Sequence, residues 1–249
     1  MKIIPRCSSG ANVTPLPNGW RLEIPEGDAS GYNFAQLDDY ARLSRGQFPG
    51  RPPLTLSLRA RVSGNSLPGT WGFGLWNDPF GMSLGFGGNS LRLPTLPNAN
   101  WFFHASEENW LSFSDHPGNG FLAQVFHSAI FPTPLLALSA IPLLPLLVAQ
   151  RTRKWIRSSA HHIIHEDGIR LSLDVEEWHA YRLEWGPTRS VFYVDDASIL
   201  ESPVSPSSPL GLIIWLDNQY AAFTPGGRIR FGVLKNEAAW LEIENLKLE

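Results

Sequence analysis

Aromatic side chains are the most prominent candidates for ligand contacts in this sequence of 249 residues, which contains ten tryptophans. An indole ring offers a flat apolar face on which a sugar ring or another flat ligand can stack. A tryptophan can equally fill a core, where it buries about 150–250 Å². Both interpretations stay open for five tryptophans in or beside predicted strands: Trp71, Trp76, Trp101, Trp110 and Trp215.

Polar side chains follow the apolar run 212–216 directly, and they could complete a site built on these rings. They are Asp217, Asn218, Gln219 and Tyr220. Because alternate residues of a strand face the same side, we expect Trp215, Asp217 and Gln219 to share one face. The alternative is an Asx turn, in which Asn218 bonds the local backbone.

Three side chains are weak candidates for acid–base catalysis: His104, Asp217 and Tyr220. A histidine in a cleft can donate or accept a proton near neutral pH. The alternative for His104 is a hydrogen-bonded residue in the cleft wall, which is the more common role. The residues predicted to bind a ligand are Trp71, Trp76, His104, Trp215, Asp217 and Gln219.

The segment 161–166 (HHIIHE) invites a metal-binding interpretation, because His161 and His165 would share one face of a helix. In the metalloprotease arrangement, however, a glutamate follows the first histidine directly, and here it does not. In an extended chain the two histidines would lie about 13 Å apart, too far for one ion. We therefore predict no metal site. The glycine-rich run 85–88 lacks the ending of a phosphate loop, and we predict no cofactor.

Charge and cysteine content narrow the class of partner. The 20 basic and 23 acidic residues give a net charge of −3, which argues against a nucleic-acid partner. The one cysteine, Cys7, excludes an internal disulfide. The first ten residues contain no apolar run long enough for a signal peptide, so we expect a cytoplasmic protein.

Alternating apolar and polar residues predict β-strands along most of the chain. The clearest run is 54–62, in which leucine, alanine and valine alternate with threonine, serine and arginine. Residues 181–185 and 191–194 flank a predicted turn at 186–189. Gly and Pro together supply 43 residues, which indicates many turns. We therefore predict one all-β domain over residues 1–249, an antiparallel sandwich or jelly roll.

One segment departs from this pattern, since residues 116–150 contain no Asp, Glu, Lys or Arg. Its apolar part, 130–149, carries four prolines, each of which costs about 3 kcal/mol inside a helix. We predict a proline-broken helical insertion over about 121–157. A lid or packed insert is the preferred role, and self-association through 121–150 is an alternative. A membrane contact aided by the basic flank is less favoured, because the segment lacks a polar face; that flank comprises Arg151, Arg153, Lys154 and Arg157.

The segment 177–196 (EWHAYRLEWGPTRSVFYVDD) resembles a hairpin of the concanavalin A-like lectin/glucanase superfamily, especially of family 16 glycoside hydrolases. Asp196 replaces the glycine that closes the family's hairpin motif. The stretch 69–76 (GTWGFGLW) is similar to the family's Gly-x-Trp-Pro-Ala-Phe-Trp strand, and 209–220 stands where the family has a late strand on its concave face. Residues 239–248 resemble the closing strand. The resemblance implies a concanavalin A-like jelly roll.

The hydrolytic activity of that family does not carry over. A retaining glycosidase needs two carboxylates about 5 to 5.5 Å apart, and the family supplies them from one Glu-x-Asp-x-Glu strand. The counterpart here is 100–109 (NWFFHASEEN), where Glu107 and Glu108 are adjacent and would face opposite sides. The alternate residues on the concave face would be one of two sets: Trp101, Phe103 and Ala105, or Phe102, His104 and Ser106.

Two functions follow as expectations. The first is a binding protein without glycosidase activity, which holds a glycan or another small molecule in the concave cleft. The alternative is an enzyme of different chemistry, acting on an apolar or polycyclic molecule under a lid. An open groove lined by tryptophan would favour a saccharide, whereas a closed apolar pocket would favour the second class of ligand.

Overall fold

The computed structural model describes residues 2–79, 92–114, 116–130, 150–160 and 162–249. Within this part of the chain, fourteen of sixteen strands form two antiparallel sheets of seven strands each, here called sheet I and sheet II. In spatial order, sheet I contains β1 (Ile4–Cys7), β4 (Phe34–Asp38), β13 (Gly211–Asp217), β6 (Thr70–Trp76), β7 (Ala99–Ala105), β8 (Gly120–Ser128) and β9 (Ile164–Arg170). Sheet II contains β12 (Ala197–Ser202), β11 (Ser190–Val194), β10 (His179–Trp185), β5 (Leu54–Val62), β16 (Ala239–Leu248), β3 (Gly19–Ile24) and β2 (Asn12–Leu16).

Three smaller elements lie outside the two sheets. Strands β14 (Gln219–Phe223) and β15 (Ile229–Val233) pair as a separate hairpin. Helix α1 spans Gln150–Ala160, and a single 3-10 turn spans Arg45–Gln47. No helix in the described ranges is long and apolar enough to cross a membrane.

The predicted antiparallel sandwich is confirmed, and its strands follow from alternation. In β5, Leu56, Leu58 and Ala60 are at most 3% exposed and pack between the sheets. The intervening Ser57 and Arg59 lie on the other side of the strand. Burial of one face of each sheet, at about 25 cal/mol per Å² of apolar surface, supplies the main driving force for this arrangement.

The predicted hairpin is formed by β10 and β11, whose pairing runs from Tyr181 opposite Val194 to Trp185 opposite Ser190. At its far end the chain turns through Asp195 and Asp196, which have φ of +48° and +64°. Glycine adopts this left-handed region without strain, and aspartate is among the few other residues that tolerate it. Asp196 therefore fills a position for which glycine is otherwise preferred.

The start of the predicted insertion is wrong. Residues 121–128 belong to strand β8, which lies between β7 and β9 in sheet I. Its residues Phe121, Ala123 and Val125 pack between the sheets, while Leu122 and Phe126 lie on the opposite side. Because both faces of β8 are apolar, its sequence shows no alternation of apolar and polar residues. Among the described residues of the insertion, 150–160 form helix α1, and residues 131–149 lie outside the described residues.

Candidate ligand-binding site

Sheet I has two faces of different character, and strand β6 shows both. Its residues Trp71, Phe73 and Leu75 pack against sheet II. The alternate residues, among them Thr70 and Trp76, point away from sheet II, because successive side chains of a strand face opposite sides. The side that points away from sheet II is called here the outer face of sheet I. It includes the outward residues of β13, the strand for which the sequence resemblance implies a concave face.

Five aromatic rings from four neighbouring strands lie together on this outer face. They are Trp76, Trp101, Phe103, Phe126 and Trp215, here called the aromatic cluster. The rings of Trp76 and Trp215 are parallel within 6°, with centroids 6.4 Å apart. Trp101 lies 5.7 Å from Trp215 and 6.0 Å from Trp76. Trp76 is half-buried, whereas Trp101 and Trp215 are only 6% and 8% exposed.

Two glycines of β6 make room for these rings. A Cβ atom added to Gly72 would lie 2.9 Å from Cη2 of Trp215, and one added to Gly74 would lie 2.5 Å from Cβ of Trp101. Both would also come within 2.4 Å of a carbonyl oxygen of β7. The alternate glycines of the sequence GTWGFGLW therefore allow the indoles of β7 and β13 to lie against the backbone of β6.

Each indole N–H in the aromatic cluster has a hydrogen-bond acceptor. Nε1 of Trp76 donates to the hydroxyl of Tyr40 over 2.6 Å, and Nε1 of Trp215 donates to Oγ1 of Thr70 over 2.9 Å. Nε1 of Trp101 donates to Oε1 of Gln124 over 3.5 Å. These bonds fix the orientation of the three indole rings.

A buried carboxyl group stands at one end of the cluster. Asp217 accepts hydrogen bonds from the hydroxyl of Thr70 over 2.8 Å and from the hydroxyl of Tyr32 over 3.2 Å. Burial raises the pKa of Asp217 to about 6, although these hydrogen bonds act against the shift. The hydroxyl of Thr70 links Trp215 to Asp217, because it accepts from the indole and donates to the carboxylate.

A second polar group at the cluster was not identified from the sequence. Gln36 lies opposite Trp215 in the pairing of β4 with β13, and its amide donates to Asp38 over 2.8 Å. The same amide nitrogen lies 3.5 Å from the hydroxyl of Tyr40, which holds Trp76. Burial raises the pKa of Tyr40 well above its usual value. The period-two spacing of Gln36, Asp38 and Tyr40 is the signal that could have identified the group.

The outer face of β7 carries no carboxylate. The register with β6 and the two separate core clusters place Ala99, Trp101, Phe103 and Ala105 on this face. Glu107 and Glu108 lie in the exposed turn that follows the strand. Of the two alternatives that the sequence left open for this strand, the structure selects the set that begins with Trp101.

Two of the predicted ligand-binding residues, Trp71 and His104, do not lie on the outer face. They are paired neighbours on β6 and β7, and their rings stack between the sheets with centroids 5.5 Å apart. Both positions are one residue out of phase with the outward residues Thr70 and Phe103, which explains the error. Burial lowers the pKa of His104 to about 4, so its ring is neutral at pH 7.

The polar run after β13 divides between two elements. Asn218 separates β13 from β14, so Gln219 does not continue the alternation of Trp215 and Asp217. The side chain of Asn218 accepts from the amide of Asn33 and donates to the carbonyl groups of Gly31 and Leu234. These partners are distant in sequence, so Asn218 does not form the Asx turn that was the alternative. The local contact is made by Asp217 instead, whose Oδ1 accepts from the backbone N–H of Gln219 over 3.2 Å. Tyr220 lies on β14 opposite Gly232, beyond sheet I.

Two sequence candidates remain, Trp110 and the histidine-rich segment 161–166, and neither lies in the aromatic cluster. The backbone of Trp110 pairs with the separate hairpin at Ala222. His165 lies on β9, where its ring is 6.1 Å from the ring of His127, and the carboxylate of Glu166 accepts from the hydroxyl of Ser112 over 2.6 Å. His161 lies outside the described residues. Within the described ranges, no group of three or more His, Cys, Asp or Glu side chains could hold a metal ion.

No protein-family model and no curated protein matches the sequence. Among solved structures, LamAcat from Zobellia galactanivorans is 13% identical, with a TM-score of 0.51 over 95% of this chain and 79% of that chain. The legume lectin-like domain from Entamoeba histolytica is 10% identical, with a TM-score of 0.48 over 99% of this chain and 89% of its own.

The binding domain of botulinum neurotoxin DC, in complex with SialylT, is 8% identical, with a TM-score of 0.44. The match covers 99% of this chain but only 42% of the neurotoxin chain. At these identities the similarity concerns the fold. The chain has the concanavalin A-like fold of lectins and glucanases.

Proposed function

We propose that this protein binds a carbohydrate on the outer face of sheet I and does not hydrolyse it. The observation that carries the proposal is the aromatic cluster, in which Trp76 and Trp215 lie parallel and have their indole N–H groups bonded to protein acceptors. A sugar ring stacks its C–H face on such an indole. Trp76 is half-buried and is the most exposed of the three tryptophans in the cluster.

Polar groups for sugar hydroxyls lie on either side of the rings. The amide of Gln36 neighbours Trp215 across one strand pair, and the carboxyl of Asp217 stands two residues along the same strand. Binding sites for small molecules are commonly apolar surfaces with a few fixed polar groups. This combination suits a ligand with apolar faces and hydroxyl edges, which describes a saccharide.

The outer face of β7 supports the proposal that the bound carbohydrate is not hydrolysed. Where a retaining glycosidase needs two carboxylates about 5 to 5.5 Å apart, this strand presents Trp101 and Phe103. We expect no release of reducing sugar from laminarin or lichenan. Release that disappears on substitution of Glu107→Gln or Glu108→Gln would overturn this part of the proposal.

Binding is tested by affinity electrophoresis against a panel of soluble polysaccharides, followed by calorimetry with oligosaccharides of any that retard the protein. Trp76→Ala is expected to weaken binding about 5- to 150-fold, the effect of losing one aromatic contact of about 1–3 kcal/mol. Trp178→Ala is the matched control, because Trp178 is also half-buried but lies beside sheet II under Arg59 and Arg61. Equal weakening by both substitutions would contradict a site on the outer face.

A second candidate function is an enzyme of non-hydrolase chemistry that acts on an apolar or polycyclic molecule. The near-complete burial of Trp101 and Trp215 favours it, because this describes a closed apolar site. Asp217, whose pKa is raised to about 6, is the remaining acid–base candidate, since His104 faces the core. Two results together would favour this function over the first. The protein would bind a polycyclic fluorophore, with Trp76→Ala abolishing that binding, and no polysaccharide of the panel would retard the protein.

A further inference from the structure

Basic residues are distributed unevenly over the chain. The segments 150–165 and 218–236 contain seven of the 20 basic residues and none of the 23 acidic ones. The residues 116–149, which lead into the first segment, contain no charged side chain at all. A protein whose net charge is −3 therefore carries a local concentration of positive charge.

The two basic segments touch each other in the fold. Nε of Arg153 on α1 donates to the carbonyl of Gly227 over 2.7 Å, and a guanidinium nitrogen of Arg157 donates to the carbonyl of Phe223 over 2.8 Å. Helix α1 thus lies against the hairpin of β14 and β15. Arg153 and Arg157 serve this packing, which leaves the other basic side chains of the two segments on the surface.

Five of these basic side chains are exposed, and none of the five forms an ion pair with another described residue. Lys235 lies beyond the end of β15, and the other four are Arg151, Lys154, Arg228 and Arg230. Within the described part of the chain, the ion pairs involve other residues. An arginine on the outer side of sheet II differs in this respect, since Arg61 pairs with Glu242 at 2.8 Å.

Large apolar side chains are exposed among these cations. Trp155 on α1 is 64% exposed, and Ile229, which stands between Arg228 and Arg230, is 42% exposed. Ile163, just after α1, is 48% exposed. These three side chains and the four cations are grouped around the contact between α1 and the hairpin, where Arg153 meets Gly227, and they are called here the basic surface. Exposed apolar groups of this size, rimmed by polar residues, mark interaction sites.

We propose that the basic surface docks this protein on an anionic lipid bilayer. Cations attract the negative headgroups, while tryptophan and isoleucine gain free energy by entering the boundary between headgroups and acyl chains. A nucleic acid or a sulfated glycan would satisfy the cations but would leave Ile163 and Ile229 in water. The combination of both kinds of side chain favours the bilayer.

The test is co-sedimentation of the full chain with vesicles of phosphatidylcholine alone, or of phosphatidylcholine with about 30% phosphatidylserine. We expect binding to the anionic vesicles only, and its loss in about 1 M salt, where the Debye length falls to about 3 Å. A triple substitution of Lys154→Gln, Arg228→Gln and Arg230→Gln should lower the partition coefficient about 100-fold, at about fivefold for each basic residue.

The matched control replaces three exposed basic residues elsewhere by glutamine: Lys2, Arg189 and Lys247. It should bind as the unmodified protein does. Trp155→Ser should also weaken binding, which a purely electrostatic attraction to a polyanion would not produce. Equal loss in the control, binding to neutral vesicles, or retention on heparin without vesicle binding would each overturn the proposal.

Discussion

Both faces of sheet I carry several aromatic rings, but the polar atoms of those rings are paired differently on the two faces. On the outer face, the indole N–H groups of Trp76 and Trp215 both donate to protein oxygens. On the face toward sheet II, Nε1 of Trp71 and Nδ1 of His104 have no hydrogen-bond partner among the described residues. A core tolerates such atoms at a cost, whereas a site needs rings in fixed orientations. Within sheet I, the hydrogen-bond partners of the rings therefore distinguish the outer face from the inner face, whereas aromatic content does not.

Truncation of the inner tryptophan should produce the largest effect on stability. Trp71 is 1% exposed and stacks on both His104 and Phe121. We expect Trp71→Ala to lower the free energy of unfolding by about 3–5 kcal/mol, because the lost ring leaves a cavity. Urea denaturation measures this. Trp76→Ala should lower the free energy of unfolding by less than half as much, because Trp76 is only half-buried. Equal losses for the two substitutions would show that the two faces do not differ.

The buried histidine should make the inner face sensitive to acid. Its pKa is lowered from 6.5 to about 4 by burial. The stability that depends on neutral His104 is therefore present above pH 6.5 and is lost as the pH falls toward 4. Between pH 7 and pH 5 this loss amounts to about 2 kcal/mol. His104→Phe should remove this loss. In urea denaturation, the free energy of unfolding of the variant should therefore fall less between pH 7 and pH 5 than that of the unmodified protein. An unchanged difference would contradict the neutral buried ring.

The outer face should respond to pH with the opposite sign and a smaller magnitude. Burial raises the pKa of Asp217 from 3.8 to about 6, so the folded state is penalised when this carboxyl ionises. Stability from this group is highest below pH 4 and is lost as the pH rises through 6. From pH 7 to pH 5 the gain is about 1 kcal/mol. Asp217→Asn, which keeps an acceptor for Thr70, should abolish it. The same pH dependence in this variant would assign the effect to another carboxyl, such as Asp39, whose pKa is also raised to about 6.

Much of the fold was predictable because it depends on local patterns. The alternation in β5 and the turn between β10 and β11 are encoded within ten or so residues each. Strand β8 was not predictable in the same way, since it is apolar on both faces and continues into an uncharged segment. For a similar reason the sequence did not show which of the two alternating sets of β7 faces outward, because apolar residues occupy both sets.

The candidate site was predictable only in part, because its polar contacts join distant segments. Trp76 and Trp215 were identified as aromatic candidates, and both lie on the outer face. Their acceptors, Tyr40 and Thr70, are 36 and 145 residues away from them in sequence, and no local pattern signals such a pairing. Trp71 was placed on the wrong side, although its odd spacing from Trp76 requires the two rings to face opposite ways.

The paired glycines of β6 restrict how this scaffold could acquire a different ligand preference. Any side chain at Gly72 or Gly74 would collide with backbone oxygens of β7, which cannot rotate away as a side chain can. The middle of the central strand is therefore closed to diversification, whether by evolution or in a designed library. Variation that retunes recognition has to enter through the flanking strands, at positions such as Gln36 and Gln124, while β6 remains a constant floor beneath the rings.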